Sequence, residues 1–169
     1  FQAGLRADHR LDYLNITMKD CSRNIKKLEL FPSAHVSYST DNHHVFTLGY
    51  SYRTNRPNIW NLEPYITYED YYTAMVGNPD IKPEFINAYE FTYRKSIGEQ
   101  HSISATLFHR DRKDTKERIR VAYLPGVTLD SLANVGCDKS SGIELSGQFK
   151  VAKNWGLVAN ASGYYYDFK

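Results

Sequence analysis

The chain has 169 residues, a net charge of +2 and two cysteines. It has the length of one ordinary domain, 1–169; its near-neutral charge gives no reason to expect a nucleic acid as partner, and two cysteines are too few for a disulfide framework. Fourteen tyrosines and eight phenylalanines against two methionines point to an all-β chain, because aromatic and β-branched side chains fit a pleated surface. No uncharged apolar run approaches the ~18 residues of a transmembrane helix. The membrane-spanning form left open is a β-barrel, since lipid offers backbone polar groups no partner.

In chain order, Phe1, Ala3, Leu5 and Ala7 alternate with Gln2, Arg6 and Asp8, as in a strand with one apolar face. The opening FQAGLRADHR carries charges where a signal peptide needs an apolar core, so no signal peptide is read here. After a long connection from Asp12 to Lys27, which holds Cys21, Pro32, Ala34, Val36 and Tyr38 oppose Ser33, His35 and Ser37. A polar turn from Ser39 to His44 follows. His43 and His44 are adjacent and point apart, so no metal site is expected of them. Phe46, Leu48, Tyr50 and Tyr52 then oppose Thr47, Gly49, Ser51 and Arg53.

Arg56 to Glu84 breaks the pattern. It contains Pro57, Pro64, Pro79 and Pro83, five aromatics, and neither helical nor strand periodicity. At roughly 30 residues it far exceeds the usual connection of about 4–6, and its aromatic content speaks against disorder.

Alternation resumes with Phe85, Tyr89, Phe91, Tyr93 and Ile97 against Glu90, Thr92, Arg94 and Ser96. The turn Ile97 to Gln100 leads to Ile103, Ala105 and Leu107 against Ser102, Ser104, Thr106 and Arg110, with Phe108 as the exception. The stretch with Arg110, Asp111, Arg112, Lys113, Asp114, Lys116, Glu117 and Arg118 reads as a solvated charged extension. It opens a third long connection, from about Lys113 to Asp138. Ile143, Leu145, Phe149 and Val151 oppose Glu144, Ser146, Gln148 and Lys150; the turn Val151 to Asn154 leads to a last strand, Trp155 to Tyr166, ending in three tyrosines.

Short and long connections thus alternate between seven strands. That predicts an antiparallel up-and-down meander, a section of a larger transmembrane β-barrel with short periplasmic turns and long extracellular loops. Tyr38, Tyr50, Tyr52, Tyr89, Tyr93, Tyr164, Tyr165 and Tyr166 are read as interfacial girdles, and Arg6, Arg53, Glu90, Arg94, Arg110, Glu144 and Lys150 as lining a wet lumen. The alternative is a soluble β-sheet domain that binds or cleaves carbohydrate, which also alternates. No nucleophile is paired with a base, so no enzyme is expected. Cys21 and Cys137 have no metal-ligand spacing and are read as free thiols. No cofactor is expected. A section taken alone in water is expected to curl over its aromatic face or pair edge to edge.

Tyr50-Ser51-Tyr52-Arg53, Arg56-Pro57, Leu62-Glu63-Pro64, Gly77-Asn78-Pro79 and Ile81-Lys82-Pro83-Glu84 before a Tyr/Phe strand resemble the barrel of TonB-dependent outer-membrane receptors, above all the Bacteroidetes type. Leu30-Phe31-Pro32-Ser33 extends the likeness upstream. Glu63 stands where that pattern usually has Asn, and Ile81 where it has Leu. The resemblance implies an internal piece of the C-terminal half of a barrel of about 22 strands, without plug or TonB box. It also implies a parent that imports a scarce nutrient, such as a glycan or siderophore, across the outer membrane. Outer-membrane lipid, a plug domain and the TonB complex would be its partners.

Two readings apply to the long loop. Arg56, Pro57, Pro64, Gly77, Asn78, Pro79, Pro83 and Glu84 brace it, since each proline fixes φ and glycine permits a positive φ in the Gly-Asn-Pro turn. Trp60, Tyr65, Tyr68, Tyr71 and Tyr72 offer flat faces to a ligand, with Glu69 and Asp70 adding polar contacts; self-packing of the same rings remains open.

Overall fold

The computed structural model describes residues 2–16, 21–98, 100–152 and 154–169. Phe1 of the first expected strand, and Glu99 and Lys153 of two expected turns, lie outside them. In chain order the elements are β1 (Gln2–Ile16), β2 (Cys21–Ser39), β3 (His44–Asn55), α1 (Ile59–Leu62), β4 (Ile66–Tyr68), β5 (Thr73–Val76), β6 (Glu84–Ile97), β7 (His101–Lys113), β8 (Lys116–Leu124), β9 (Val127–Asn134), β10 (Cys137–Ala152) and β11 (Trp155–Phe168).

Seven of these strands form one sheet in the order β1-β2-β3-β6-β7-β10-β11, every neighbour antiparallel. This is the expected meander. Its register pairs Leu48 with Phe91, Phe91 with Leu107 and Leu107 with Ile143. One residue along, Thr47 pairs with Thr92, Thr92 with Thr106 and Thr106 with Glu144. Because side chains alternate strictly along a strand, these rows lie on opposite faces. On the polar face the Thr92 and Thr106 hydroxyls lie 3.0 Å apart, as do those of Ser37 and Thr47. On the apolar face ring contacts join Phe46 to Tyr93 and Tyr50 to Tyr89, at 5.2 and 5.1 Å between centroids.

Several expectations need correction. The connection expected from Asp12 to Lys27 is largely strand: the β1–β2 ladder continues to Ile16 opposite Cys21, and only residues 17–20 lie outside the description. Pro32 sits inside β2, and the described β2–β3 ladder ends next to it, at Ser33 opposite Ser51, as suits a residue with no N–H to give. Of the three closing tyrosines, Tyr165 pairs with Ser141, whereas Tyr164 and Tyr166 pair with Gly142 and Ser140 on the polar face. Adjacent residues cannot share one girdle. Phe108 does lie on the polar face, where the Arg110 guanidinium sits 5.0 Å from its ring centroid. A Cβ added to Gly142 would meet that ring at 2.7 Å, so Phe108 covers a glycine on the next strand.

The two remaining long connections are not irregular loops. They hold α1 and a second, four-stranded sheet, β4-β5-β9-β8, in which β5 and β9 run parallel. Nor does the large sheet curl over its apolar face. Leu48 is 59% exposed, and the only buried hydrophobic residues among those described are Phe31, Ala74, Ile81 and Ala88. Both faces of a barrel wall meet material outside it, lipid on one side and lumen on the other, so neither serves as a core.

Candidate functional site in the joined loops

β3 hands over to the first loop at Arg56, whose Nη2 donates to Asp8 Oδ2 of β1 (3.1 Å) and to Glu29 Oε2 of β2 (2.9 Å). Arg6 also bonds Asp8 through Nε at 2.7 Å. The loop therefore starts anchored to the β1–β2 hairpin. Pro57 precedes Asn58, which caps the single turn α1 by accepting from the Asn61 N–H at 3.0 Å. Pro64 follows the cap residue Glu63, where a helix cannot continue.

Gly77 has a different role from the expected one, because its φ is not positive. Its N–H donates to the Glu63 carbonyl at 2.9 Å, and an added Cβ would lie 2.5 Å from that oxygen and 2.8 Å from the Trp60 carbonyl. Glycine is needed here for the close approach of α1. Asn78 continues the bracing: its N–H donates to the Asn61 carbonyl (2.7 Å) and its Nδ2 to the Leu132 carbonyl of β9 (2.9 Å). Asn134 answers from β9, accepting from the Lys82 N–H at 2.8 Å and donating to the Asp114 carbonyl at 2.7 Å. Pro79 and Pro83 flank this crossing.

Glu84 closes the motif. It is 2% exposed, and its carboxylate accepts from Asn55 Nδ2 (2.5 Å) and the Lys116 N–H (2.7 Å), with Lys116 Nζ at 3.5 Å. It thus ties the ends of β3 and β6 to the start of β8. Thr115, also buried, donates to Asp138 at 3.2 Å beside this corner.

The second sheet has its own charged clasp. Asp130 of β9 is 1% exposed and takes two hydrogen bonds from Arg120, at 2.6 and 2.8 Å, with Arg118 Nη1 at 3.4 Å. The Arg120 hydrogen bonds, and secondarily its charge, hold the Asp130 carboxyl below the usual carboxylate range, against the opposing effect of desolvation. On this face of the sheet, under α1, lies a cavity of about 270 Å³ lined by Trp60, Glu63, Tyr65, Met75, Arg118 and Leu132 among others.

The seven ligand candidates divide between two places. Trp60 and Tyr65 meet at the cavity. Tyr68 ends β4, and Glu69, Asp70, Tyr71 and Tyr72 form the β4–β5 turn, where Asp70 Oδ1 accepts from the Tyr72 N–H at 2.7 Å and Tyr71 is 92% exposed. Among the described residues none of the five rings stacks on another aromatic ring. Sequence reasoning missed the other wall of the cavity. By its pattern Arg118 belongs to a solvated charged stretch, and nothing in the pattern singles out Asp130. The signal was present: Pro125-Gly126, with Gly126 at φ +79°, makes a two-residue turn that sets Arg120 opposite Asp130.

In comparisons with known proteins, a family model described as "Outer membrane protein beta-barrel family" matches residues 1–169. No curated protein sequence matches. Among solved structures, the siderophore receptor PirA from Pseudomonas aeruginosa is similar with a TM-score of 0.70 and 15% identity, over 83% of this chain and 29% of that one. The copper transporter OprC gives 0.64 and 17%, over 98% of this chain and 26% of that one. The FrpB iron transporter from Neisseria meningitidis gives 0.60 and 16%, over 86% and 21%. At such identities the likeness is one of fold, and the chain spans under a third of each of these structures. The outer-membrane barrel that the resemblance implies is upheld by the family model, and the soluble carbohydrate reading is not favoured.

Proposed function

The chain belongs to the outer membrane protein beta-barrel family, and from that membership we propose that it is a section of the wall of a TonB-dependent receptor that imports a scarce nutrient, with the joined loops 56–84 and 113–138 as part of its ligand-recognition surface. The outer membrane is its location. The observation that carries the reading is the two-faced register. A row of Val36, Leu48, Phe91, Leu107 and Ile143 crosses five strands on one face, while Ser37, Thr47, Thr92, Thr106 and Glu144 cross the same strands on the other. One row suits hydrocarbon and the other water.

A plug and the TonB complex are the partners this reading requires of the longer protein. Import by displacement of a plug needs no bond-making by the wall, so the chain is not an enzyme on this reading. Trp60, Tyr65, Tyr68, Glu69, Asp70, Tyr71 and Tyr72 are its ligand candidates, presented by a loop that Arg56, Gly77, Asn78 and Glu84 hold in shape.

The test is growth of a strain deleted for the parent gene on a panel of single limiting nutrients: ferric chelates, copper, glycans and peptides. Growth on one of them should fall and return with the intact gene but not with the gene in a strain lacking TonB. Unchanged uptake across the panel, or rescue independent of TonB, would sink the proposal.

A further inference from the structure

The cavity beneath α1 has walls of opposite charge that do not neutralise each other. Glu63 and Arg118 both line it, yet they form no ion pair. The Glu63 carboxylate has no hydrogen-bond partner among the described residues; its backbone carbonyl alone is engaged, by Gly77. Arg118 reaches only Asp130, at 3.4 Å through one nitrogen, and its side chain is 55% exposed. Asp130 is already gripped at shorter range by Arg120, so most of the Arg118 guanidinium is left with donors to offer.

The lining also includes Trp60, Tyr65, Met75 and Leu132, and the Asp130 carboxylate that Arg120 already grips. A site with an unpaired carboxylate, a guanidinium held through one nitrogen only and apolar and aromatic walls complements a small molecule with an ammonium, a carboxylate and an apolar group. We infer that this cavity binds a zwitterion of the α-amino-acid kind, a free amino acid or dipeptide, whose carboxylate meets Arg118 and whose ammonium meets Glu63. The side chain lies against Trp60 and Leu132. This rests on the import reading above and names the ligand class of its loop site.

Size agrees. About 270 Å³ corresponds to roughly nine waters at ~30 Å³ each, the scale of a dipeptide and too small for a large metal chelate. Rigidity agrees as well, because the wall bearing Trp60 and Glu63 is fixed by the Asn58 cap and the Gly77 and Asn78 bonds before a ligand arrives, so little ordering has to accompany binding. Glu63 is also one of the two positions, with Ile81, at which the loop departs from the motif it resembles, and this departure supplies the negative wall.

Isothermal titration of the full-length parent receptor in lipid nanodiscs tests this with Ala-Leu, N-acetyl-Ala-Leu and Ala-Leu amide. Ala-Leu should bind, and each blocked form should bind on the order of tenfold or more weakly, as for loss of a hydrogen bond to a charged group. Arg118→Gln should make the acid and the amide alike, and Glu63→Gln should make the free and acetylated amines alike. The shift in gel mobility between folded and boiled barrel shows that each variant is folded. Equal binding of free and blocked forms overturns the inference, as does no binding of Ala-Leu, Ala-Phe or Ala-Ala by the folded receptor. If the dipeptides fail while deletion still costs growth on another nutrient, the ligand class falls and the import reading stands; dipeptide binding with no uptake defect does the reverse.

Discussion

Asn78 donates from Nδ2 to the carbonyl of Leu132 at 2.9 Å, across 54 residues of sequence. This bond joins the Gly-Asn-Pro turn of one loop to a strand of the next. With the parallel β5–β9 pairing and the Thr128 N–H on the Tyr72 carbonyl at 2.8 Å, it makes two connections into a single body.

Asn78→Ala should therefore loosen the second loop as well as the first. The substitution removes this bond and the one that Asn78 Oδ1 accepts from the Asp80 N–H at 2.9 Å; each costs about 0.5–1.5 kcal/mol, or about 1–3 kcal/mol where the abandoned group is left buried. The large sheet depends on neither. Limited proteolysis of the folded receptor should show faster cleavage within 113–138 with the barrel intact; protection equal to wild type would show that the parallel pairing alone holds the loops together.

Glu84 marks where loop and wall meet. Glu84→Ala removes the acceptor of Asn55 Nδ2 and of the Lys116 N–H and leaves the Lys116 ammonium, 13% exposed, without its carboxylate. Breaking a buried pair in this way costs about 3–5 kcal/mol. Urea unfolding in lipid vesicles should show a loss of that size, with Glu84→Gln intermediate because it keeps one acceptor. A loss below about 1 kcal/mol for Glu84→Ala would remove Glu84 as the corner of the structure.

The wall was legible in the sequence because its information is local. Thr47 and Leu48 must point to opposite faces, so period two alone assigns both. Between long strands the short turns set the register. The loop sheet was not legible for the opposite reason: β4 and β5 have three and four residues, too few to show a period, and the β5 partner that stabilises them pairs Thr73 with Thr128. The upper parts of β1 and β2 were missed because the alternation of Leu14, Ile16 and Met18 with Asn15, Thr17 and Lys19 is short and is followed by a charged stretch. Composition placed Trp60 and Tyr65 in a candidate site, but only the fold brings Arg118 to them.

The assignment of faces predicts a contrast between neighbouring residues. Leu48→Arg and Phe91→Arg place a cation against lipid and should cost roughly 2–4 kcal/mol if near the midplane. Thr47→Arg and Thr92→Arg, one residue along and facing the lumen, should cost much less. Equal yields of folded barrel from all four variants would refute the assignment.

The strand order predicts the state of the thiols. Cys21 opens β2 and Cys137 opens β10, with β3, β6 and β7 between them. Four strand spacings of ~4.8 Å put them about 19 Å apart, against the ~7 Å limit between Cα atoms in a disulfide. Cys137 is free and exposed. Maleimide labelling without reductant, followed by peptide mapping, should find both thiols modified once the receptor is unfolded; an unlabelled Cys21–Cys137 peptide pair would overturn the order.

Acid should weaken the loop sheet before the centre of the wall. Asp130 has its pKa lowered in the folded state by the Arg120 hydrogen bonds, from an unfolded value of about 3.9. The unfolded loop thus takes up this proton at a higher pH than the folded one. The stabilisation from the Arg120–Asp130 pair is fully present above the unfolded value and is lost as the pH falls through the lower folded value. In the wall the comparable clasp, Arg6 on Asp8, sits at the β1–β2 hairpin; between the central strands Arg110 reaches Glu90 at 3.6 Å and Arg112 reaches Asp138 at 3.3 Å, and in the middle rows Thr92 and Thr106 meet as neutral hydroxyls. Amide hydrogen exchange, corrected for intrinsic rates, should show protection of β8 and β9 falling below about pH 4 while β6 and β7 stay protected. Asp130→Asn should lower that protection at neutral pH and flatten its dependence on acid. A variant that lost protection with the same pH profile as wild type would assign the acid sensitivity to another carboxylate.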